Sequence, residues 1–241
     1  MKRPLRRLSV GCCFWLVNLL LCGAFTVSKA VSMPLRRTRI KVCGMTRVED
    51  IEVAARSGVD AIGLVFYPPS PRFVSVEQAQ RLRAAVPSFV DVVALFVDPE
   101  PTLVEAVVER VQPDLLQFHG DEPAAFCARF ARPYLKALRV RPEQPLIERV
   151  AVYQGARGIL LDTYQDGVPG GTGQTFNWDL IPCSLRSSII LAGGLNPDNV
   201  FEAIGRVHPW AVDVSGGVEG SRGVKDAGLI AEFVARVEAA V

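Results

Sequence analysis

The amino-acid sequence predicts an α/β fold, a single (β/α)8 barrel, on three observations. From Arg39 onward eight short β-rich apolar runs alternate with segments of helical period, the pattern of βαβ units around a parallel sheet. Several runs are almost continuously apolar, as strands covered on both faces must be. The last two runs each lead into a glycine pair, Gly193-Gly194 and Gly216-Gly217, in the loops where this fold gathers phosphate.

The elements follow in order. Strand one spans residues 40–43 and turns at Gly44 into a helix over 47–57. Strand two, 61–66, runs into the proline-stiffened loop Pro68-Pro69-Ser70-Pro71-Arg72, and a helix covers 76–85. Strand three, 91–96, precedes a helix over 102–111, and strand four, 115–118, a helix over 123–130. Strand five, 134–139, leads to a helix over 146–153. Strand six, 158–162, is followed by a long loop containing Gly170-Gly171-Thr172-Gly173, a lid candidate, and by no more than a short turn at 178–182. Strand seven, 188–192, enters a helix over 197–207 whose start is marked by Asn196 and Pro197. Strand eight, 211–214, passes through Ser215-Gly216-Gly217 to a last helix over 225–240. Eight such units in about 200 residues match a TIM barrel near its lower size limit. An open doubly wound sheet would carry a glycine-rich turn after strand one, where this chain has Cys43-Gly44-Met45-Thr46.

With 241 residues, 49% apolar and 22% charged, the chain is too apolar for disorder and long enough for a sizeable core. Five of its 27 basic groups lie in residues 1–32, which hold none of the 25 acidic ones, so residues 33–241 carry about −3. A slightly acidic body argues against nucleic acid as a partner. Residues 1–32 form a basic and apolar head, readable as a secretory signal, as a short membrane anchor, or as the product of a start codon assigned too early. Met33 before Pro34-Leu35-Arg36-Arg37 favours the last reading. The expected division is therefore a head, 1–32, and a catalytic barrel, 33–241. The expected place is the cytoplasm if Met33 is the start, otherwise outside the cell or on a membrane.

In barrels of this kind chemistry lies at the C-terminal ends of the strands. Those positions are Cys43, Arg72, Gln117 and His119, Asp162, the Gly193-Gly194 loop with Asn196, and Ser215-Gly216-Gly217. Two glycine pairs in the two expected loops point to phosphate, because glycine lets backbone N–H groups approach an anion. Arg72 in a stiff loop suits a carboxylate; its alternative is a solvated loop charge. A lone histidine such as His119 is more often structural than catalytic, and Cys127 and Cys183 read as small apolar fillers.

Seven segments together resemble the phosphoribosylanthranilate isomerase family in order and spacing. They are Lys41-Val42-Cys43-Gly44-Met45-Thr46, Gly63-Leu64-Val65-Phe66-Tyr67 with Ser70-Pro71-Arg72, Gln117-Phe118-His119-Gly120, Leu160-Leu161-Asp162-Thr163, and residues 170–178, 192–200 and 212–219. The resemblance implies the Amadori rearrangement of N-(5-phosphoribosyl)anthranilate to 1-(2-carboxyphenylamino)-1-deoxyribulose 5-phosphate in tryptophan biosynthesis. It also implies no cofactor, no metal, a small-molecule substrate, and a monomer or homodimer. Carried over, Asp162 is the general acid that opens the ribose ring and Cys43 the general base at C2. Arg72 holds the anthranilate carboxylate; Gly193, Gly194, Asn196, Ser215, Gly216 and Gly217 hold the phosphate. Gly216, Asn177 and Gln174 depart from the residues frequent in the family, which bears on affinity rather than on reaction type.

That chemistry needs Asp162 protonated and Cys43 ionised, against reference values of about 3.9 and 8.5. Burial raises both, so a cation must favour the thiolate. Strand parity offers Lys41, two residues before Cys43, paired with Asp213 on the closing strand. The alternative of another class is a non-catalytic, membrane-tethered barrel that binds sugar phosphates and leaves Cys43 idle.

Overall fold

The computed structural model describes residues 37–163 and 175–240. The head and the Gly170–Gly173 stretch lie outside the described residues. Eight parallel strands close into one barrel in sequence order: β1 (Arg39–Cys43), β2 (Ala61–Val65), β3 (Asp91–Phe96), β4 (Leu115–Phe118), β5 (Tyr134–Val140), β6 (Gly158–Thr163), β7 (Ile189–Leu191) and β8 (Ala211–Val214). Closure pairs β8 with β1, where Lys41 stands opposite Asp213. The helices are α1 (Val48–Arg56), α2 (Val76–Ala84), α3 (Pro101–Arg110), α4 (Ala124–Cys127), α5 (Leu146–Ala151), α6 (Cys183–Arg186), α7 (Val200–Val207) and α8 (Ala227–Glu238). None of them is long and apolar enough to cross a membrane.

Alternation along each strand sorts the side chains. Ile40, Val42, Ile62, Leu64, Phe96, Leu116, Phe118 and Leu161 face outward and pack against the helices. Val93, Leu135, Ala137, Leu160, Ile190, Ala192 and Ala211 fill the barrel interior. Above them Cys43 packs with Val65 and Leu95 at the C-terminal ends of the strands.

Several boundaries differ from the sequence expectation, each for a local reason. Helix α4 stops at Cys127 because Phe130 leaves the helical path to stack on Phe118, at 5.9 Å. Helix α7 starts at Val200 rather than 197, because the Asn196 side chain accepts from the N–H groups of Asp198 (2.9 Å) and Asn199 (3.1 Å) and holds a turn there. Helix α6 was not expected; it follows Pro182 and leaves Cys183 exposed instead of buried as filler, whereas Cys127 is buried. The largest difference is at 225. Lys225 does not open the last helix but ends an antiparallel hairpin, β9 (Glu219–Ser221) with β10 (Val224–Lys225). Asp226 then caps α8 by accepting from the Leu229 N–H at 2.9 Å.

Candidate active site

The site is built on strand ends. On β1, alternation sends Lys41 and Cys43 into the barrel, and both are buried. Lys41 Nζ donates to Asp213 Oδ1 at 2.9 Å, so the expected ion pair lies beneath the thiol. Burial works against the Lys41 charge, but Asp213 and Cys43 outweigh it and hold the ammonium above its ordinary value. For Cys43 the balance falls the other way. Burial pushes the thiol up; Lys41 and Lys225 pull it down and Asp213 pushes it further up. The balance in the folded chain therefore favours the thiol over the thiolate.

Asp162 ends the inward column of β6 and is buried. Its Oδ1 accepts from the Thr163 N–H at 2.8 Å, and its Oδ2 lies 3.0 Å from His119 Nε2. Gln117 Nε2 lies 3.2 Å from His119 Nδ1. With that amide donating to Nδ1, the ring proton sits on Nε2 and is directed at Asp162. Gln117 Oε1 is buried without a hydrogen-bond partner. The structure thus brings His119 into contact with Asp162 and gives both of its ring nitrogens a buried partner, the satisfied state expected of a structural histidine. Gln117 on β4 and His119, the first residue after it, share the parity that faces inward.

Arg72 reaches the mouth from the loop after β2, and it is not a solvated charge. Its Nε and Nη2 donate to the two oxygens of Glu219 at 2.6 and 2.9 Å. Glu219 Oε1 also accepts from Lys225 Nζ at 2.9 Å. The sequence does not mark Glu219 or Lys225 as part of the site, because the hairpin that presents them has the pattern of loop and helix there.

The two glycine loops meet each other. Gly193 has φ +83°, a left-handed conformation, and a Cβ there would collide with Thr163 and crowd Asp162. Gly217 lies so close to the Leu195 carbonyl that a Cβ would overlap it. Among the described residues no hydrogen bond occupies the N–H groups of Gly193 and Gly194, and Gly216 and Gly217 open a 3-10 turn whose first N–H groups are free by geometry. The side chains contribute less than expected. Asn196 is engaged in its own turn, and Ser215 Oγ donates to the Cys43 carbonyl at 2.9 Å. Backbone amides are the donors left for an anion.

The family model for N-(5'-phosphoribosyl)anthranilate (PRA) isomerase matches residues 40–236. The N-(5'-phosphoribosyl)anthranilate isomerase of Dechloromonas aromatica is 53% identical over 204 residues, covering 85% of this chain and 98% of its own. The chain belongs to the N-(5'-phosphoribosyl)anthranilate isomerase family. Generated monomers of the dimeric enzyme from Thermotoga maritima superpose with a TM-score of 0.74 at 39% identity, covering 84% of this chain and 99% of theirs. A phosphoribosylanthranilate isomerase in complex with reduced 1-(o-carboxyphenylamino)-1-deoxyribulose 5-phosphate does so at 0.74 and 40%, with the same coverage. Membership settles the reaction as the tryptophan-pathway isomerisation and sets aside a non-catalytic barrel.

Proposed function

We propose that Asp162 and Cys43 carry this isomerisation as acid and base, with Arg72 holding the anthranilate carboxylate and the loops at Gly193-Gly194 and Gly216-Gly217 holding the phosphate. Asp162 gives its proton to the ribose ring oxygen as the C1–O bond breaks, and the nitrogen lone pair forms the Schiff base. Cys43 thiolate then takes the C2 proton; the electron pair moves into C1=C2 and the iminium electrons return to nitrogen. Ketonisation places a proton on C1 and gives the aminoketose. His119, donating to Asp162 Oδ2, orients the acid. The observation that carries this reading is the buried ion pair Lys41–Asp213 directly beneath Cys43, an arrangement a mere filler cysteine would not need. Cys43→Ala and Asp162→Asn should each lower kcat by about 10²–10⁴-fold with substrate binding retained, followed by loss of anthranilate fluorescence. Turnover surviving in both variants overturns the assignment.

The bound product analogue of the related isomerase supports a sugar phosphate carrying an anthranilate carboxylate as the ligand here. We propose further that residues 33–241 form the catalytic unit, with 1–32 outside it, and that it works in the cytoplasm as a homodimer. The free Cys43 thiol and the metabolite substrate support the compartment. Sequencing the mature N-terminus from native cells tests it; a mature chain beginning upstream of Met33 overturns the division.

A further inference from the structure

Glu219 is a counter-ion shared between two parts of the site. Oε1 accepts from Arg72 Nε at 2.6 Å and from Lys225 Nζ at 2.9 Å; Oε2 accepts from Arg72 Nη2 at 2.9 Å and from the Gly223 N–H at 3.1 Å. Burial pushes this carboxyl up, but the two cations outweigh it and hold it below its ordinary value. Lys225 is short of counter-charge by the same arrangement: burial pushes its ammonium below the ordinary lysine value although Glu219 resists. Lys225 Nζ also donates to the Ser215 carbonyl at 3.0 Å and lies 3.5 Å from Ser215 Oγ. That hydroxyl donates to the Cys43 carbonyl at 2.9 Å, so one hydroxyl separates the ammonium from the base residue. The hairpin is held in place at both sides, by Thr46 Oγ1 donating to the Gly223 carbonyl at 2.8 Å and by the Lys225 N–H donating to Asp50 at 3.3 Å.

We propose that Glu219 and Lys225 are positioning residues for the reaction, Glu219 aiming the Arg72 fork at the substrate carboxylate and Lys225 lending Cys43 the positive charge that favours its thiolate. The inference rests on the assignment of Arg72 and Cys43 above. The charged groups around Cys43 are Lys41 on its own strand, Asp213 on β8, Lys225 on β10, Arg72 from the loop after β2, Glu219 on β9, and Asp162 and His119 on the far strands. Asp213 offsets only part of the Lys41 charge felt at Cys43. Arg72, Lys225 and Glu219, the cluster on the β1 side of the mouth, sum to one positive charge, and that local surplus is what both an incoming carboxylate and a nascent thiolate meet.

The test uses the full chain, steady-state kinetics with N-(5-phosphoribosyl)anthranilate, and the pH midpoint of Cys43 alkylation by iodoacetamide, read at that site by peptide mass spectrometry. Glu219→Gln should raise KM by about tenfold or more, since an unheld guanidinium loses its bidentate geometry. It should also move the alkylation midpoint to lower pH. Lys225→Met should do the opposite at the thiol, moving the midpoint up by about half a unit or more. Glu219→Asp, which keeps the charge but shortens the reach, should raise KM and leave the midpoint in place; it carries the test if Glu219→Gln does not fold. Midpoints that stay put or move the same way in Glu219→Gln and Lys225→Met overturn the proposal. An unchanged KM in Glu219→Gln overturns it only where Arg72→Ala raises KM. An Arg72→Ala protein with normal KM instead overturns the assignment of Arg72, while the thiol midpoint still reads the Lys225 half.

Discussion

At Cys43 two demands pull apart. The thiol must be buried to share a water-poor space with the substrate, and burial favours the form that cannot act as a base. Lys41 opposes this, yet Asp213 offsets part of its effect. Asp213→Asn should therefore shift the basic form of Cys43 to lower pH, seen as an alkylation midpoint and a base limb of kcat that both move down. It should also cost stability, about 3–5 kcal/mol in urea unfolding, because a buried ammonium loses its partner. Cys127 has the simpler case. Burial is the largest influence on this thiol, which is pushed up to about 11 although Lys136 resists. The unfolded chain releases that proton near about pH 8.5, so the folded form holds a proton the unfolded form has lost. The contribution is complete below that pH and disappears as pH rises toward the folded value. Cys127→Ala should flatten the decline of the urea midpoint between about pH 8.5 and 11; an equally steep decline would exclude the thiol as its source.

Among the elements, β5 sets an unusual condition. Its alternation points Lys136 outward into the helix layer, where the side chain is 1% exposed. Lys136 Nζ donates to Glu122 Oε2 at 2.6 Å and to the Gly120 carbonyl at 2.7 Å, and Glu122 Oε1 accepts from the Gly120 N–H at 3.1 Å. The loop after β4, which begins at His119, is thus tied to β5. Glu122→Ala should destabilise the fold by about 3–5 kcal/mol, since it leaves a buried charge unpaired; a loss under about 1 kcal/mol in urea unfolding would mean the pair is solvated. These cases mark what the sequence makes legible. Strands β3, β4 and β8 fall where short apolar runs place them, and parity alone puts Lys41 under Cys43 and opposite Asp213. Helix ends are less legible, because Phe130 and Asn196 are decided by a ring stack and a side-chain turn that no periodicity records. The hairpin escapes the pattern altogether. Glu219, Gly223 and Lys225 carry no apolar repeat, and their partners are Arg72 and Asp50, more than a hundred residues away in sequence for each of the long-range contacts. Half of the charged machinery is therefore visible only in three dimensions.

At the scale of the whole molecule the barrel has two unlike ends. The strand C-termini hold the chemistry, and the strand N-termini surround a cavity of about 670 Å³ lined in part by Ala61, Leu115, Leu135, Ile190 and Ala211, with Lys41 at its inner end. None of the proposed catalytic residues lines it. On its rim stands Phe89, fully exposed and held at φ +71°, a left-handed backbone that is rare for an aromatic residue. An aromatic knob beside a hollow that is apolar in part, and lined also by Arg39, Asp60, Asp91 and Arg157, is self-complementary, as a twofold interface requires. If two copies meet through this face, each Phe89 leaves water by entering the other copy's cavity. Replacing it by a small polar side chain removes about 1.5–3 kcal/mol of apolar burial per copy, and both copies lose it at once. Phe89→Ser should accordingly weaken self-association by at least about a hundredfold in sedimentation equilibrium. Its kcat should stay at the parent value, because the site lies at the opposite end of every strand. A parent chain that sediments as a monomer, or a Phe89→Ser dimer as tight as the parent, rules out this face as the interface.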